Sequence, residues 1–174
     1  MALTELMMRR RSHRKFTDEP ISENDIKELQ RAVLTAPTSK NCLSWHFVFV
    51  TDKEKIVALS KSKEHGATFM ENATLAIVVV GDPQKTDVWV EDSSIAATYL
   101  LLKAEELGLG ACWVQTRLRS DANGKMATDN VREILSIPDG FEVECVVAIG
   151  HKAADRTPYA DDKLPYAQVH MEKW

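Results

Sequence analysis

Hydrophobic and polar positions along the chain follow two periods, one typical of helices and one typical of strands. Four apolar, aromatic or β-branched runs predict strands, at residues 45–50, 74–81, 110–115 and 141–150. Five segments with apolar residues at helical spacing, or with a capping residue at their start, predict helices, at residues 3–9, 22–37, 52–62, 87–107 and 128–136. Strands and helices therefore alternate through most of the chain, and only the last 24 residues show no period.

Local signals mark where these helices begin and end. Ser22, followed by Asp25 three residues later, is close to a capping box, and Pro37 ends the helix that starts there. Thr128 is the expected cap of the last helix. Residues 95–102 are apolar round most of the helical circumference, which predicts that the helix at 87–107 is central and buried.

This order of elements predicts one domain over residues 1–174, an α+β or α/β sandwich of about four strands with helices on both sides. The two common phosphate-binding loops of nucleotide folds, GxGxxG after a strand and GxxxxGK[ST], do not occur in the sequence. The "GLG" at 108–110 follows a helix and precedes a strand, so a helix stop with a tight turn is the favoured interpretation.

Composition and charge exclude several classes of protein. The net charge of −4 and the pI of 5.8 argue against a dedicated nucleic-acid binder. No apolar run is long enough to span a bilayer, and no signal peptide is visible, so we expect no membrane partner and a cytoplasmic location. Neither the three cysteines nor the five histidines have the spacing of metal ligands, so no metal is expected.

Against this acidic background, "RRRSHRKF" (residues 9–16) is a compact basic cluster. One interpretation is a solvated charge patch at a helix end. The other is a site for a phosphorylated cofactor, because arginine forks pair with phosphate oxygens and Ser12 adds a hydroxyl donor. A second stretch, "APTSKNCLSW" (36–45), is either a simple polar loop or a set of donors for a polar heterocycle.

Four stretches in order resemble the nitroreductase family of FMN-dependent oxidoreductases: "RRSHRKF" (10–16), "APTSKNCLSW" (36–45), "DSSIAATYLLLKAEELGLGACW" (92–113) and "VVAIGHK" (146–152). The resemblance covers nearly the whole chain. It implies a nitroreductase-like α+β three-layer sandwich, with a central mixed, mainly antiparallel sheet of about four strands and an extended C-terminal tail at 151–174. It also implies a homodimer in which the tail packs on the partner subunit and the 36–45 stretch completes the partner's flavin site.

The resemblance implies a set of FMN-contacting residues: Arg10, Arg11, Ser12, Arg14, Pro37, Thr38, Ser39, Asn41, Gly110, Ala111, Gly150 and Lys152. Arg10 and Ser12 would hold the phosphate end of FMN. Arg14 would stabilise the negative charge of the reduced flavin and so act in catalysis. The chain departs from the family's usual pattern at Leu43 and Ser44, where a glutamine and a proline are common.

The implied activity is the transfer of a hydride from NAD(P)H to flavin N5, followed by reduction of a small acceptor such as a nitroaromatic or a quinone in a ping-pong order. Two alternatives stay open. The chain could be a flavin carrier or sensor without turnover, or a specialised member that fragments flavin or dehalogenates an aromatic substrate. Cys42, next to the presumed flavin loop, is interpreted as a packing residue rather than a redox thiol.

Overall fold

The computed structural model describes residues 2–174 and has the predicted alternation of helices and strands. The helices are α1 (Leu3–Arg9), α2 (Glu23–Leu34), α3 (Lys53–Ser60), α4 (Trp89–Glu106) and α5 (Ala127–Leu135). The strands are β1 (Trp45–Val50), β2 (Leu75–Gly81), β3 (Leu109–Gln115) and β4 (Glu142–His151). They form one sheet in the order β1-β2-β4-β3.

All three strand pairings are antiparallel, which confirms the predicted α+β class and the four-stranded, mainly antiparallel sheet. The parallel component is one isolated bridge, in which Ser12 pairs with Ala111 outside the named strands. Among residues 2–174, no helix has the length and apolar character needed to cross a membrane.

The sheet separates two apolar layers. On one face, Ile56 and Leu59 of α3 and Val131 of α5 pack against the sheet. On the other face, helices α2 and α4 cover it, with Leu29 and Leu100 among the fully buried side chains. Every residue of β2 is buried, as its unbroken apolar run predicts.

Helix α4 is central, but the prediction that it is buried round most of its circumference is wrong on one side. Ala96, Ala97 and Leu100 are completely buried, whereas Ile95 is 40% exposed and Tyr99 is 39% exposed. Apolar residues on a helix do not show by themselves which of them will find a covering element within the same chain.

The predicted helix boundaries agree with the structure in part. The Ser22 hydroxyl accepts a hydrogen bond from the Asp25 backbone N–H at 3.1 Å, so the predicted cap of α2 is confirmed. Helix α2 ends at Leu34, three residues before Pro37. The prediction for Thr128 is wrong: α5 begins one residue earlier, at Ala127, and its cap position is Met126, whose side chain makes no capping hydrogen bond.

The basic segment, defined here as residues 10–18, lies in an extended conformation against the sheet where β3 begins and β4 ends. The His13 N–H donates to the carbonyl of Ala111 at 3.0 Å, and the Thr17 N–H donates to the carbonyl of His151 at 3.0 Å. This confirms that the segment is extended, and it shows that main-chain hydrogen bonds fix its register.

Two glycines, paired across β3 and β4, allow this close approach. A Cβ atom at Gly110 would lie 2.9 Å from the Cβ of His13, and one at Gly150 would lie 3.0 Å from three side-chain atoms of Phe16. A larger residue at Gly110 would require His13 to shift, and one at Gly150 would crowd the Phe16 side chain. His13 and Phe16 are both buried by this contact.

Burial sets the protonation of His13. The pKa of its imidazole is lowered from the usual 6.5, first because burial disfavours the cation and second because the Lys152 ammonium repels it. His13 is therefore held in the neutral form as the structural support of the basic segment.

We expect the free energy of unfolding to fall as the pH drops below about 6.5, because the unfolded chain then binds a proton at His13 that the folded chain does not. This loss is complete once the pH is below the lowered pKa of the folded state. Denaturant unfolding of His13→Gln at about pH 7.5 and about pH 5.5 should show a smaller difference between the two pH values than wild type.

The matched control is His65→Gln, because the side chain of His65 is 86% exposed. It should keep the wild-type pH dependence. An unchanged pH dependence in His13→Gln would contradict this role for His13.

Candidate functional site

Three side chains of the basic segment lie near one point of β3, the buried thiol of Cys112. The guanidinium charges of Arg14 and Arg10 and the hydroxyl of Ser12 all lower the pKa of this thiol. Burial acts the other way and dominates, so the pKa of the thiol is raised overall. Cys112 is therefore a buried, neutral thiol near these cations.

The cations at this point have no acidic partners. Among residues 2–174, no carboxylate lies within salt-bridge distance of Arg10 or Arg14. The Arg14 guanidinium is exposed and lies 5.7 Å from the ring centroid of Phe69. Unpaired, partly exposed arginines with a hydroxyl between them form a site suited to an anion such as a phosphate.

Arg11, also predicted to contact the cofactor, is turned away from this point. Its guanidinium donates to the carbonyl of Thr157 and lies 4.6 Å from the ring centroid of Tyr159. The Tyr159 N–H in turn donates to the carbonyl of Met8 at 2.8 Å. Arg11 therefore holds the start of the tail on α1 and the basic segment of the same chain.

Lys152 is also occupied. Its ammonium donates to both carboxylate oxygens of Glu105 at 2.9 Å, and Glu105 is 5% exposed. The Arg9 guanidinium lies 3.8 Å from the same carboxylate. Gly150 contacts Phe16 of the basic segment and Lys152 is paired with Glu105, and their direct contacts with the cofactor stay predictions.

Two cations at this site were not found by sequence reasoning. Arg156 donates to the carbonyl of Ser12 at 3.0 Å, and Lys63 donates to the carbonyl of Gln115 at 2.8 Å while its charge acts on Cys112. The sequence signal that could have pointed to Arg156 is its position four residues after Lys152. Lys63 lies in an ordinary polar stretch and carried no such signal.

The second predicted group of site residues forms a loop before β1, called the 38–43 loop here. Its shape depends on Asp92 of α4, whose side chain accepts a hydrogen bond from the Ser39 N–H at 2.9 Å and one from the Ser44 hydroxyl at 2.7 Å. Thr38 accepts from the Leu43 N–H at 3.0 Å and closes the loop. Asn41 is exposed at its tip, and Cys42 is half-buried with its Sγ 3.6 Å from the same carboxylate.

The basic segment and the 38–43 loop lie at opposite corners of the sheet. β1 and β3 are the two edge strands, so three inter-strand spacings, about 14 Å, separate them across the sheet. Trp45, next to the loop, is in register with Glu142 at the start of β4 through Gly81 of β2. Gly110, next to the basic segment, is in register with Gly150 at the end of β4. These two positions are eight residues apart on β4, about 27 Å along the strand direction.

Potential metal ligands and cysteine thiols also lie outside the basic segment. Between residues 2 and 174, no three potential metal-ligating side chains of histidine, cysteine, aspartate or glutamate come together. Cys42, Cys112 and Cys145 are free thiols. The pKa of Cys145 is raised well above its usual value by complete burial, so this thiol is a core residue.

Comparison with known proteins shows which family this chain resembles. A family model described as "Nitroreductase family" matches residues 7–66 and 58–151. A relative from Archaeoglobus fulgidus, whose name gives it as a candidate NADH dehydrogenase/NAD(P)H nitroreductase, is 35% identical over 95% of this chain and 94% of its own length.

Solved structures agree with this result. An FMN-dependent nitroreductase from Clostridium difficile is 41% identical with a TM-score of 0.95, over 98% of this chain and 99% of that one. An NADPH:FMN oxidoreductase from Vibrio harveyi, solved with NAD+, is 26% identical with a TM-score of 0.80, over 99% and 77% of the two chains. On the family match, the sequence identity and the fold together, the chain belongs to the nitroreductase family.

Proposed function

We propose that this protein binds FMN and uses it to pass electrons from NAD(P)H to small oxidised acceptors such as nitroaromatics or quinones, in a ping-pong order. The class of enzyme, an NAD(P)H-dependent flavin oxidoreductase, is confirmed by the family and by relatives named for NAD(P)H and FMN. The observation that carries the proposal for this chain is the group of arginines beside Ser12 that have no carboxylate partner.

The residues present fit the phosphate end of FMN. Arg10 lies two residues before Ser12 and its charge acts on the same thiol as the Ser12 hydroxyl, and Arg156 donates to the Ser12 carbonyl. A phosphate dianion would receive charge-assisted hydrogen bonds there, which are stronger than those between neutral groups. Gly110 and Gly150 keep the segment that carries these groups close to the sheet.

Arg14 is the residue of this chain that we assign to the chemistry. FMN, when bound, supplies the hydride and electron transfer. Arg14 lies four residues beyond Arg10 on the extended segment and is exposed, so it can reach a part of the ligand distant from the phosphate. A fixed cation at that position stabilises negative charge that builds up on the reduced ring.

We propose further that the protein is a homodimer with two FMN sites, each built from both chains. The support is a distance: within one chain, the basic segment and the 38–43 loop lie farther apart than the length of an FMN molecule. Exposed apolar side chains offer a surface for a second copy, and they lie on α1, the 38–43 loop and α4: Leu3, Met7, Leu43, Ile95 and Tyr99. Obligate dimers cover apolar surface of this kind.

The same proposal treats residues 1–174 as one FMN-binding domain whose tail packs on the partner. Within residues 2–174, the hydrogen bonds that hold the tail on its own chain lie at its start, among them those of Arg11 with Thr157, Arg156 with Ser12 and Tyr159 with Met8. Beyond it, large side chains are exposed: Tyr166 at 60%, Met171 at 83% and Trp174 at 101%. Covering them on a partner subunit would bury apolar area that one chain leaves in water.

The purified protein should be yellow, release FMN on heating, and oxidise NADH or NADPH in steady state only when an acceptor is present. A panel of nitroaromatic and quinone acceptors, varied against the reductant, should give parallel double-reciprocal lines, the sign of a ping-pong order. Tight FMN binding without acceptor-dependent turnover would instead identify a flavin carrier. A colourless protein that takes up no added FMN would overturn the proposal.

Arg10→Ala should weaken FMN binding by about 1–3 kcal/mol, the range for a charge-assisted hydrogen bond. Arg14→Ala should in addition lower the reduction potential of bound FMN, because it removes a cation that favours the reduced, negatively charged ring. Flavin fluorescence titration measures the affinity, and a spectroscopic redox titration measures the potential. Arg31→Ala, an exposed arginine on α2, is the control and should change neither. An unaltered potential in Arg14→Ala would show that its assigned role is wrong.

A composite site can be tested by mixing two damaged chains. Arg10→Ala and the double variant Ser39→Ala/Asn41→Ala should each bind FMN poorly as homodimers. A heterodimer isolated with two affinity tags should bind one FMN per dimer, because one of its two sites then carries no substitution. Full-length protein that is monomeric with FMN bound would reject the dimer model.

A chain that ends at Ala160 tests the tail separately, because it keeps the contacts of Thr157 and Tyr159 with the same subunit. Light scattering and flavin content should show loss of the dimer and of FMN together. A truncated chain that stays dimeric and yellow would reject only the role given to the tail.

A further inference from the structure

We infer that Asp92 is a positioning residue for the flavin site: its buried carboxylate holds the 38–43 loop in the one shape in which Thr38, Ser39 and Asn41 can meet a flavin. This inference rests on the proposed function, since it assigns a use to the loop. Asp92 itself touches no ligand in the proposal and acts through the loop.

The carboxylate of Asp92 is buried and is held by donors from the loop and its flank. The side chain is 3% exposed, and its two oxygens accept hydrogen bonds from the Ser39 N–H at 2.9 Å and the Ser44 hydroxyl at 2.7 Å. Within residues 2–174, no lysine, arginine or histidine forms a salt bridge with it. A buried carboxylate without a cation depends on such donors, and the donors depend on it.

The loop needs an anchor because its backbone is strained. Lys40, Asn41 and Leu43 have φ values of 50°, 54° and 49°, in the left-handed region that residues other than glycine rarely adopt. Such residues persist only where the surroundings hold them. Apart from Asp92, the side-chain contacts that hold the loop are the Thr38 hydroxyl accepting from the Leu43 N–H and the exposed Lys85 ammonium donating to the Leu43 carbonyl.

Helix α4 makes Asp92 a rigid anchor. Asp92 is in the first turn of an 18-residue helix, where the helix dipole favours a negative charge. One turn further on, Ala96 is completely buried against Trp45 and Ala36, which flank the loop. The position of the loop is therefore tied to the central helix of the fold.

Ser44 gives this chain a means of its own to hold the loop. A residue without a side-chain donor at this position could not donate a hydrogen bond to Asp92. The Ser44 side chain is completely buried, and its hydroxyl donates to Asp92 at 2.7 Å, compared with 2.9 Å for the Ser39 N–H. Both Ser44 and Asp92 are thus buried polar groups that satisfy each other.

The test compares Asp92→Ala and Asp92→Asn with matched variants of the exposed neighbour, Glu91→Ala and Glu91→Gln. Asp92→Ala should raise the Kd for FMN about tenfold or more, the loss expected when a charge-assisted hydrogen bond is removed. Asp92→Asn should recover most of this affinity, since its amide oxygen still accepts from Ser39 and Ser44 can accept from its NH₂ group. The Glu91 variants should stay within about twofold of wild type.

A second measurement needs no flavin. Lys40 is exposed at the strained part of the loop, and a protease must unfold the loop locally before it can cut there. Trypsin cleavage between Lys40 and Asn41, followed by mass spectrometry on the apoprotein, should become about tenfold faster or more in Asp92→Ala and change little in Asp92→Asn. Cleavage elsewhere in the chain should not change, which separates loop release from general unfolding.

Ser44→Ala keeps the inference testable if Asp92→Ala does not fold. It removes one donor and leaves the carboxylate in place, so a severalfold increase of both the Kd for FMN and the cleavage rate at Lys40 is expected. Asp92 variants or Ser44→Ala that match the Glu91 controls in both measurements would overturn the inference. Wild-type protein that binds no FMN would overturn the proposed function, while the cleavage rates would still decide whether Asp92 holds the loop.

Discussion

The site depends on one feature of the central helix, namely that α4 carries a buried carboxylate at each end. Asp92 in the first turn holds the 38–43 loop, and Glu105 in the last turn holds Lys152 and, through it, the support of the basic segment. Thirteen residues separate them, which is about 20 Å along a helix. A single rigid element therefore fixes the separation of the two groups of residues within each chain, and in the proposed dimer the two groups of one chain belong to different flavin sites.

The two carboxylates differ in what stabilises them. Asp92 lies where the helix dipole favours an anion, so hydrogen-bond donors alone are enough. Glu105 lies at the opposite end, where the dipole disfavours an anion, and two cations compensate: Lys152 at 2.9 Å and Arg9 at 3.8 Å. The basic cluster thus divides into cations that neutralise Glu105 and cations that have no acidic partner. The second group, with Arg10 and Arg14, is the one that we propose binds the anionic ligand.

The sequence predicted the elements well because local patterns determine them. The apolar run of β2, the cap at Ser22 and the four-stranded sheet needed only periodicity, capping rules and burial. These local rules could not predict which basic side chains form hydrogen bonds within the chain and which have no acidic partner. Arg11 and Arg156 are fixed by hydrogen bonds to residues 146 and 144 positions away in the sequence. Charge and spacing identified a basic cluster and left its use open between a solvated patch and a phosphate site, and only the folded chain shows which cation already has a partner.

The position of the unpaired cations also explains why ligand binding and stability should be linked. Arg10, Arg14 and Lys63 all act on the buried thiol of Cys112, so these cations lie in one region of the molecule. A phosphate dianion placed among cations without acidic partners is attracted to them and binds only the folded chain, which stabilises the fold by mass action. The same logic extends across a dimer: if the 38–43 loop of one chain completes the site of the other, the ligand also stabilises the interface. Folding, assembly and flavin binding are then one coupled equilibrium. Within each chain, helix α4 fixes the positions of the residues that take part in it.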